Sequence, residues 1–121
     1  MKIKDYIKLK PFSLKMNEKS KLFSKFTKDL TNHHYKNNSY YRNLLVNTKY
    51  NLKNTDLEYM PFLPTRLFKN LDLMSINKSE VFKTLKSSGT SNKGSSRIFL
   101  DKKNAMLLTN ILSKIASFFI G

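Results

Sequence analysis

Val81-Phe82-Lys83-Thr84-Leu85-Lys86, then Ser87-Ser88-Gly89-Thr90-Ser91-Asn92-Lys93-Gly94-Ser95-Ser96-Arg97, then Ile98-Phe99-Leu100 is the stretch that decides the fold. In Ser79 to Lys86 apolar and polar residues alternate, and Arg97 to Leu100 is short and β-prone, so the pattern predicts two strands. The segment between them, Ser87 to Arg97, holds two of the three glycines in the chain. Its residues are almost all small, hydroxylated or amide-bearing. Such a loop can turn several backbone N–H groups toward one point, which is how proteins hold phosphate.

Downstream, Asp101 is a good N-cap for a last helix. Leu108, Ile111, Leu112, Ile115, Phe118 and Phe119 recur at helical spacing, with Asn110, Ser113, Lys114 and Ser117 expected mostly opposite. Ala105 to Ile120 is the most apolar segment in the chain. It is short for a membrane span and carries Asn110 and Lys114, so a buried or half-buried helix is expected. Gly121 suits a helix C′ position.

Upstream, Leu71 to Ile76 is a candidate strand. Met60-Pro61-Phe62-Leu63-Pro64 excludes a regular helix interior or a central strand, while Pro64 could open a helical turn through Phe68. Asn47 to Asp56 reads as a loop. Tyr40, Tyr41, Leu44 and Leu45 predict a short helix capped by Asn38 or Ser39. Before it, Leu22, Phe23, Phe26 and Leu30 predict a helix from Asn17 to about Tyr35, capped by Asn17 or Ser13. Met1 to Lys10 is weakly patterned and could begin with a short strand or a lead-in turn. The expected class is α+β, the start of an α/β domain: N-terminal helices, a β-hairpin around the Gly/Ser/Thr loop, and a C-terminal helix.

The 121 residues suffice for one domain, and 40 % hydrophobic content can build a core. Cysteine is absent, which excludes disulfides, thiolate metal sites and cysteine nucleophiles within the chain. A cytoplasmic setting fits that absence, and no secretory h-region is visible. The net charge is +15. A basic nucleic-acid or polyanion-binding module is one reading of it. The charge, however, comes from 20 lysines against three arginines, scattered from Lys2 to Lys114. That scatter argues against nucleic acid, whose readers rely on clustered charge and bidentate arginine. A non-catalytic protein that docks through the last helix is a further alternative.

His33-His34 cannot both face one metal from a regular helix, so no metal site is expected. Asp56, Glu58, Asp72 and Glu80 show no paired spacing for acid–base work, and no catalytic residue is assigned. Arg66 and Arg97 could reach phosphate, with a surface ion pair as the default for each. Tyr40 and Tyr41 are expected to pack in the core. The P-loop pattern fits the loop poorly. Gly89 and Gly94 have its spacing, but Ser95 stands where its lysine belongs and a strand follows where it needs a helix.

A different family fits better. Ser87 to Ser95 resembles the first signature loop of adenylate-forming enzymes, roughly [ST]-S-G-[ST]-[ST]-G-x-P-[KST], which also lies between two strands. Pro61 to Lys69, Val81 to Lys86 and Ser96-Arg97-Ile98-Phe99-Leu100-Asp101 around it resemble the acyl-protein synthetase (LuxE-type) family. So do His33-His34-Tyr35, Tyr41-Arg42 and the last helix. The likeness runs from about Phe12 onward. It implies a ligase that activates a carboxylic acid, such as a fatty acid, with ATP (Mg2+ carried by the nucleotide). An acyl-adenylate forms, pyrophosphate leaves, and the acyl group passes to a protein cysteine. An acyl reductase, as in bioluminescence-type fatty acid reduction, or a carrier protein is the implied partner.

By position, the resemblance places phosphate binding on Ser87, Ser88, Gly89, Thr90, Ser91, Asn92, Lys93 and Gly94. Asn92 replaces the family's second glycine, and Gly94 stands where a proline is common, which loosens the loop. Family members are several times longer. The second nucleotide loop, the ribose-binding acid, the C-terminal lysine region and the acceptor cysteine are all absent here. The expectation is therefore that residues 1–121 form an incomplete, N-terminal part of the synthetase domain. It would be inactive alone and marginally stable, either a truncated product or remnant, or one piece of a split gene completed by a separately encoded C-terminal portion.

Overall fold

The computed structural model describes residues 3–54, 56–88 and 94–121. The architecture is the expected α+β one. Helices α1 (Ile3–Tyr6), α2 (Met16–Asn37) and α3 (Ser39–Asn47) come first. A short α4 (Leu67–Asn70) precedes an antiparallel hairpin of β1 (Lys83–Lys86) and β2 (Arg97–Leu100), and α5 (Lys102–Ile120) follows.

Helix α2 starts at Met16, one residue before the expected start, and neither Asn17 nor Ser13 is its N-cap. That position is Lys15, whose ammonium has no lone pair to offer. Glu18 compensates, because its carboxylate accepts from the Lys15 backbone N–H at 3.2 Å. Asn38 then does two jobs. Its N–H closes α2 by donating to the His34 carbonyl at 2.8 Å, and its side-chain oxygen caps α3 by accepting from the Tyr41 N–H at 3.0 Å. Of the two caps the sequence offered for α3, Asn38 and Ser39, the structure uses the buried asparagine.

The core sits where α2 and α3 meet. Leu45 is 2 % exposed and Tyr41 8 %, with Thr31 and Asn38 buried beside them. Tyr41 packs as expected, whereas Tyr40 is exposed. The Tyr50 hydroxyl donates to the Met60 sulfur at 3.5 Å, and burial, then neighbouring Tyr41, raise its pKa above the usual phenol value.

Two expectations about the extended segments are corrected, and one pair of alternatives is decided. Of the strand or lead-in turn offered for Met1 to Lys10, the described part, from Ile3, is helical α1 followed by a turn, with the Lys8 and Leu9 N–H groups donating to the Asp5 and Tyr6 carbonyls. Leu71 to Ile76 is irregular; its polar side chains bond across to α2 and β2, and its backbone joins no ladder. The strand predicted over Ser79 to Lys86 begins only at Lys83, because Lys78–Glu80 form a 3-10 turn closed by Asn77 and Glu80. Pro64 does open a turn, its carbonyl accepting from Leu67, although α4 proper begins three residues after it.

Asp101 caps α5 as expected, accepting from the Asn104 N–H at 2.6 Å. The helix is less buried than its sequence predicts. Ala105 is its one buried residue, while Leu112, Ile115, Phe118, Phe119 and Ile120 are exposed. Lys114, placed opposite the apolar face by the sequence pattern, is instead half-buried, and its ammonium donates to the Ile7 carbonyl. No helix among the described residues is long and apolar enough to cross a membrane.

Candidate functional site

The hairpin register pairs Lys83 with Leu100, Thr84 with Phe99, Leu85 with Ile98 and Lys86 with Arg97. The ladder extends one step past the strands at each end. Phe82 N–H donates to the Leu100 carbonyl at 2.8 Å, and Ser87 N–H to the Ser96 carbonyl at 3.1 Å. A side chain completes the second closure: Ser96 N–H donates to Ser87 Oγ at 2.9 Å. Ser87 therefore acts first as the latch of the loop mouth. One of its lone pairs is committed, while its O–H remains able to donate.

Beyond the latch, Ser88 and Gly94 are exposed. Gly94 has φ +81°, a left-handed conformation that costs a glycine little, and a Cβ there would meet nothing. The loop mouth is thus open on that side. Of the eight sequence-predicted site residues, Ser87, Ser88 and Gly94 are accordingly brought to one mouth. Gly89, Thr90, Ser91, Asn92 and Lys93 lie outside the described residues.

Cross-strand neighbours Lys86 and Arg97 put two cations on one face at the base of the loop, a pairing that is unfavourable unless compensated. Asp72 compensates Arg97, with the guanidinium Nη2 at 2.8 Å from Oδ1. Both side chains are partly exposed, so the pair is worth at most about 1 kcal/mol. The Nε of Arg97 is buried and has no hydrogen-bond partner among the described residues. Lys86 is left exposed, a positive charge at the mouth. Arg97 therefore takes the expected ion pair, with a partner the sequence did not reveal.

The segment holding Asp72 is tied down at its other end. Ser75 Oγ and His34 Nδ1 share a hydrogen bond of 2.7 Å, linking the strap to α2. Burial, then the charge of adjacent His33, push His34 below the usual imidazole pKa, which favours the neutral ring. Edge-on contacts with His33 and Tyr41 complete its packing. The described residues contain no cluster of metal-ligating side chains. A strap from Asp72 to Ser75 thus couples the helical core to the hairpin base. Two isolated polar residues in an apolar run were the available sequence signal for it.

The family model for acyl-protein synthetase, LuxE, matches residues 2–120, nearly the whole chain. The chain belongs to the LuxE-type acyl-protein synthetase family. A curated relative, the long-chain-fatty-acid–luciferin-component ligase of Photorhabdus luminescens, is 31 % identical over 80 residues. That alignment covers 66 % of this chain and 69 % of the relative. No solved structure matches. Membership of the LuxE-type family carries the general chemistry of adenylate-forming acyl ligases, which depends on ATP. The polar hairpin loop is the part of this chain whose composition suits that chemistry.

Proposed function

We propose that this chain supplies the first phosphate-binding wall of an ATP-dependent acyl-protein synthetase. The observation that carries the reading is a hairpin mouth latched by Ser87 and Ser96 around a Ser/Gly/Thr-rich stretch of sequence, in a chain of this family. The reaction joins a carboxylate to the α-phosphoryl group of ATP, releases pyrophosphate, and passes the acyl group to a protein thiol with loss of AMP.

In that reaction Ser87, Ser88, Thr90 and Ser91 donate hydroxyl hydrogen bonds to the departing phosphates. Gly89 and Gly94 let the backbone approach closely. Asn92 shapes the turn, and Lys93 adds a mobile point charge. Lys86 adds a second cation at the mouth. The task is positioning and charge stabilisation, with no proton transfer by these groups. ATP arrives with its Mg2+. The substrate class we carry over from the Photorhabdus relative is a long-chain fatty acid. These 121 residues hold no cysteine, so the acceptor thiol lies outside them; an acyl reductase or a carrier protein is the partner class this reading implies. In this reading residues 1–121 form the N-terminal part of the synthetase domain, and the remaining walls of the ATP site come from outside these residues.

Carboxylate-dependent exchange of labelled pyrophosphate into ATP tests the reading, using this chain mixed with the C-terminal portion of a family member. Exchange should require both pieces and a long-chain fatty acid, and should fall about tenfold or more in Ser88→Ala with Lys93→Ala. If the mixture neither binds ATP nor exchanges pyrophosphate with any carboxylate, the reading is wrong.

A further inference from the structure

Of the 23 cationic side chains in the sequence, 20 are lysines. An arginine in such a chain marks a place where a planar fork of donors, and not charge alone, makes the difference. Arg42 uses its fork inside the fold. Its Nε donates to the Tyr35 carbonyl at 2.9 Å and its Nη2 to the Lys36 carbonyl at 2.7 Å, which satisfies the end of α2. Arg66 is exposed at the N-cap of α4. Arg97 differs from both. It is half-buried on the last rung of the ladder before the loop, directly after Ser96 of the latch. Its Nη2 lies 2.8 Å from Asp72 Oδ1, while its Nε is shut off from solvent with no hydrogen-bond partner among the described residues.

The fold gains little from arginine at that position. The side chains of Arg97 and Asp72 are 37 % and 52 % exposed, so solvent screens their pair. Lys86 stands directly across the ladder, and like charges in that relation oppose the pairing. A buried donor without an acceptor costs its desolvation. A lysine pairs with a carboxylate as a point charge and has no Nε to strand. What arginine adds is a rigid fork that fits two phosphate oxygens at once. That fork stands beside the mouth closed by Ser87 and Ser96, where the proposed phosphate site begins. Its present partner is weakly held, so a more highly charged anion can take its place.

We propose that Arg97 is a phosphate-binding residue of that site, and that Asp72 is its resting counter-ion, displaced when a nucleotide polyphosphate arrives. The inference rests on the phosphate reading of the loop. It adds to that reading a residue outside the loop and a direction for Asp72, which competes with the ligand. If the pair were only a clamp for the strap, removing the Asp72 charge would loosen the mouth and weaken binding.

The test is a titration of the full chain, labelled with 15N-arginine and 15N-glycine, with pyrophosphate and with MgATP. Three arginine Nε–H signals and three glycine amides report, and Arg97→Lys identifies the Arg97 signal by its loss. Saturable movement of that signal together with Gly89 and Gly94, with Arg42 and Gly121 unmoved, supports the proposal. Asp72→Asn should tighten pyrophosphate binding about two- to fivefold, because a screened competitor is removed. Arg97→Lys keeps the charge and loses the fork, and should weaken binding about tenfold. Movement of the loop glycines with the Arg97 Nε–H unmoved would overturn this inference and leave the phosphate reading standing. Weaker binding in Asp72→Asn would overturn it too, since the pair would then be a structural clamp. No movement of either set, or equal shifts with sulfate, would sink both readings.

Discussion

Helix α3 is short and of mixed polarity, yet it holds the most buried side chain among the described residues, Leu45. Helix α5 is longer and far more apolar, yet only Ala105 on it is buried. The difference is one of partners. α3 folds back on α2 through the two-way cap at Asn38, so each helix covers the other's apolar stripe. α5 meets the hairpin with its first turns, and the N-terminal segment through Lys114 and the contacts of Phe12 with Phe118 and Phe119, and these leave most of its apolar face exposed. Apolar periodicity reports that a face requires cover and says nothing of where the cover comes from.

Substitutions on the two sides should separate them. Leu45→Ala should have the largest effect, about 2–5 kcal/mol, because it opens a cavity in the best-packed site. In a chain with so small a core that should abolish the cooperative urea transition followed by circular dichroism. Asn38→Ala should cost about 0.5–2 kcal/mol, by removing the α3 cap where it is buried. Asp101→Ala, losing the equivalent cap of α5, should cost about 1 kcal/mol or less. If the Asp101 variant proves the more damaging of the two, α5 contributes more to the fold than its exposure indicates.

A pH titration sharpens the contrast further. His34 on the packed side has a native pKa below its unfolded value of about 6.5. Between the two values the unfolded chain binds the extra proton. Stability should therefore be level above pH 7, fall as pH drops through 6.5, and level off below the native value. Melting temperature at pH 7.5 and 5.5 reads this, and His34→Gln should flatten the difference. The smallest effect belongs to the exposed side. Phe119→Ser with Ile120→Ser should shift stability by no more than about 0.5 kcal/mol.

Local signals in the sequence were strong wherever one residue decides a structure. Asn38 and Asp101 cap helices through their own side chains, and the β2 pattern with its glycine loop specifies a hairpin. The signals failed where long-range contacts decide. Leu71 to Ile76 reads as a strand by composition, but Asp72 and Ser75 draw it into a strap toward Arg97 and His34. Lys114 reads as solvent-facing, but the Ile7 carbonyl takes its ammonium. The turn between β1 and β2 was legible from residue types. The latch at Ser87 was not, because it depends on the register that brings Ser96 opposite.

On the proposed function, the loop from Ser87 to Gly94 holds phosphate. The chain contains three glycines, two in that loop and one at the end of α5. A 15N-glycine-labelled sample titrated with MgATP or pyrophosphate therefore reads the claim on three amide signals. We predict saturable shifts of Gly89 and Gly94 with Gly121 unmoved, lost in Ser88→Ala with Lys93→Ala. Three unmoved signals, or equal drift of all three that vanishes with added salt, would contradict it.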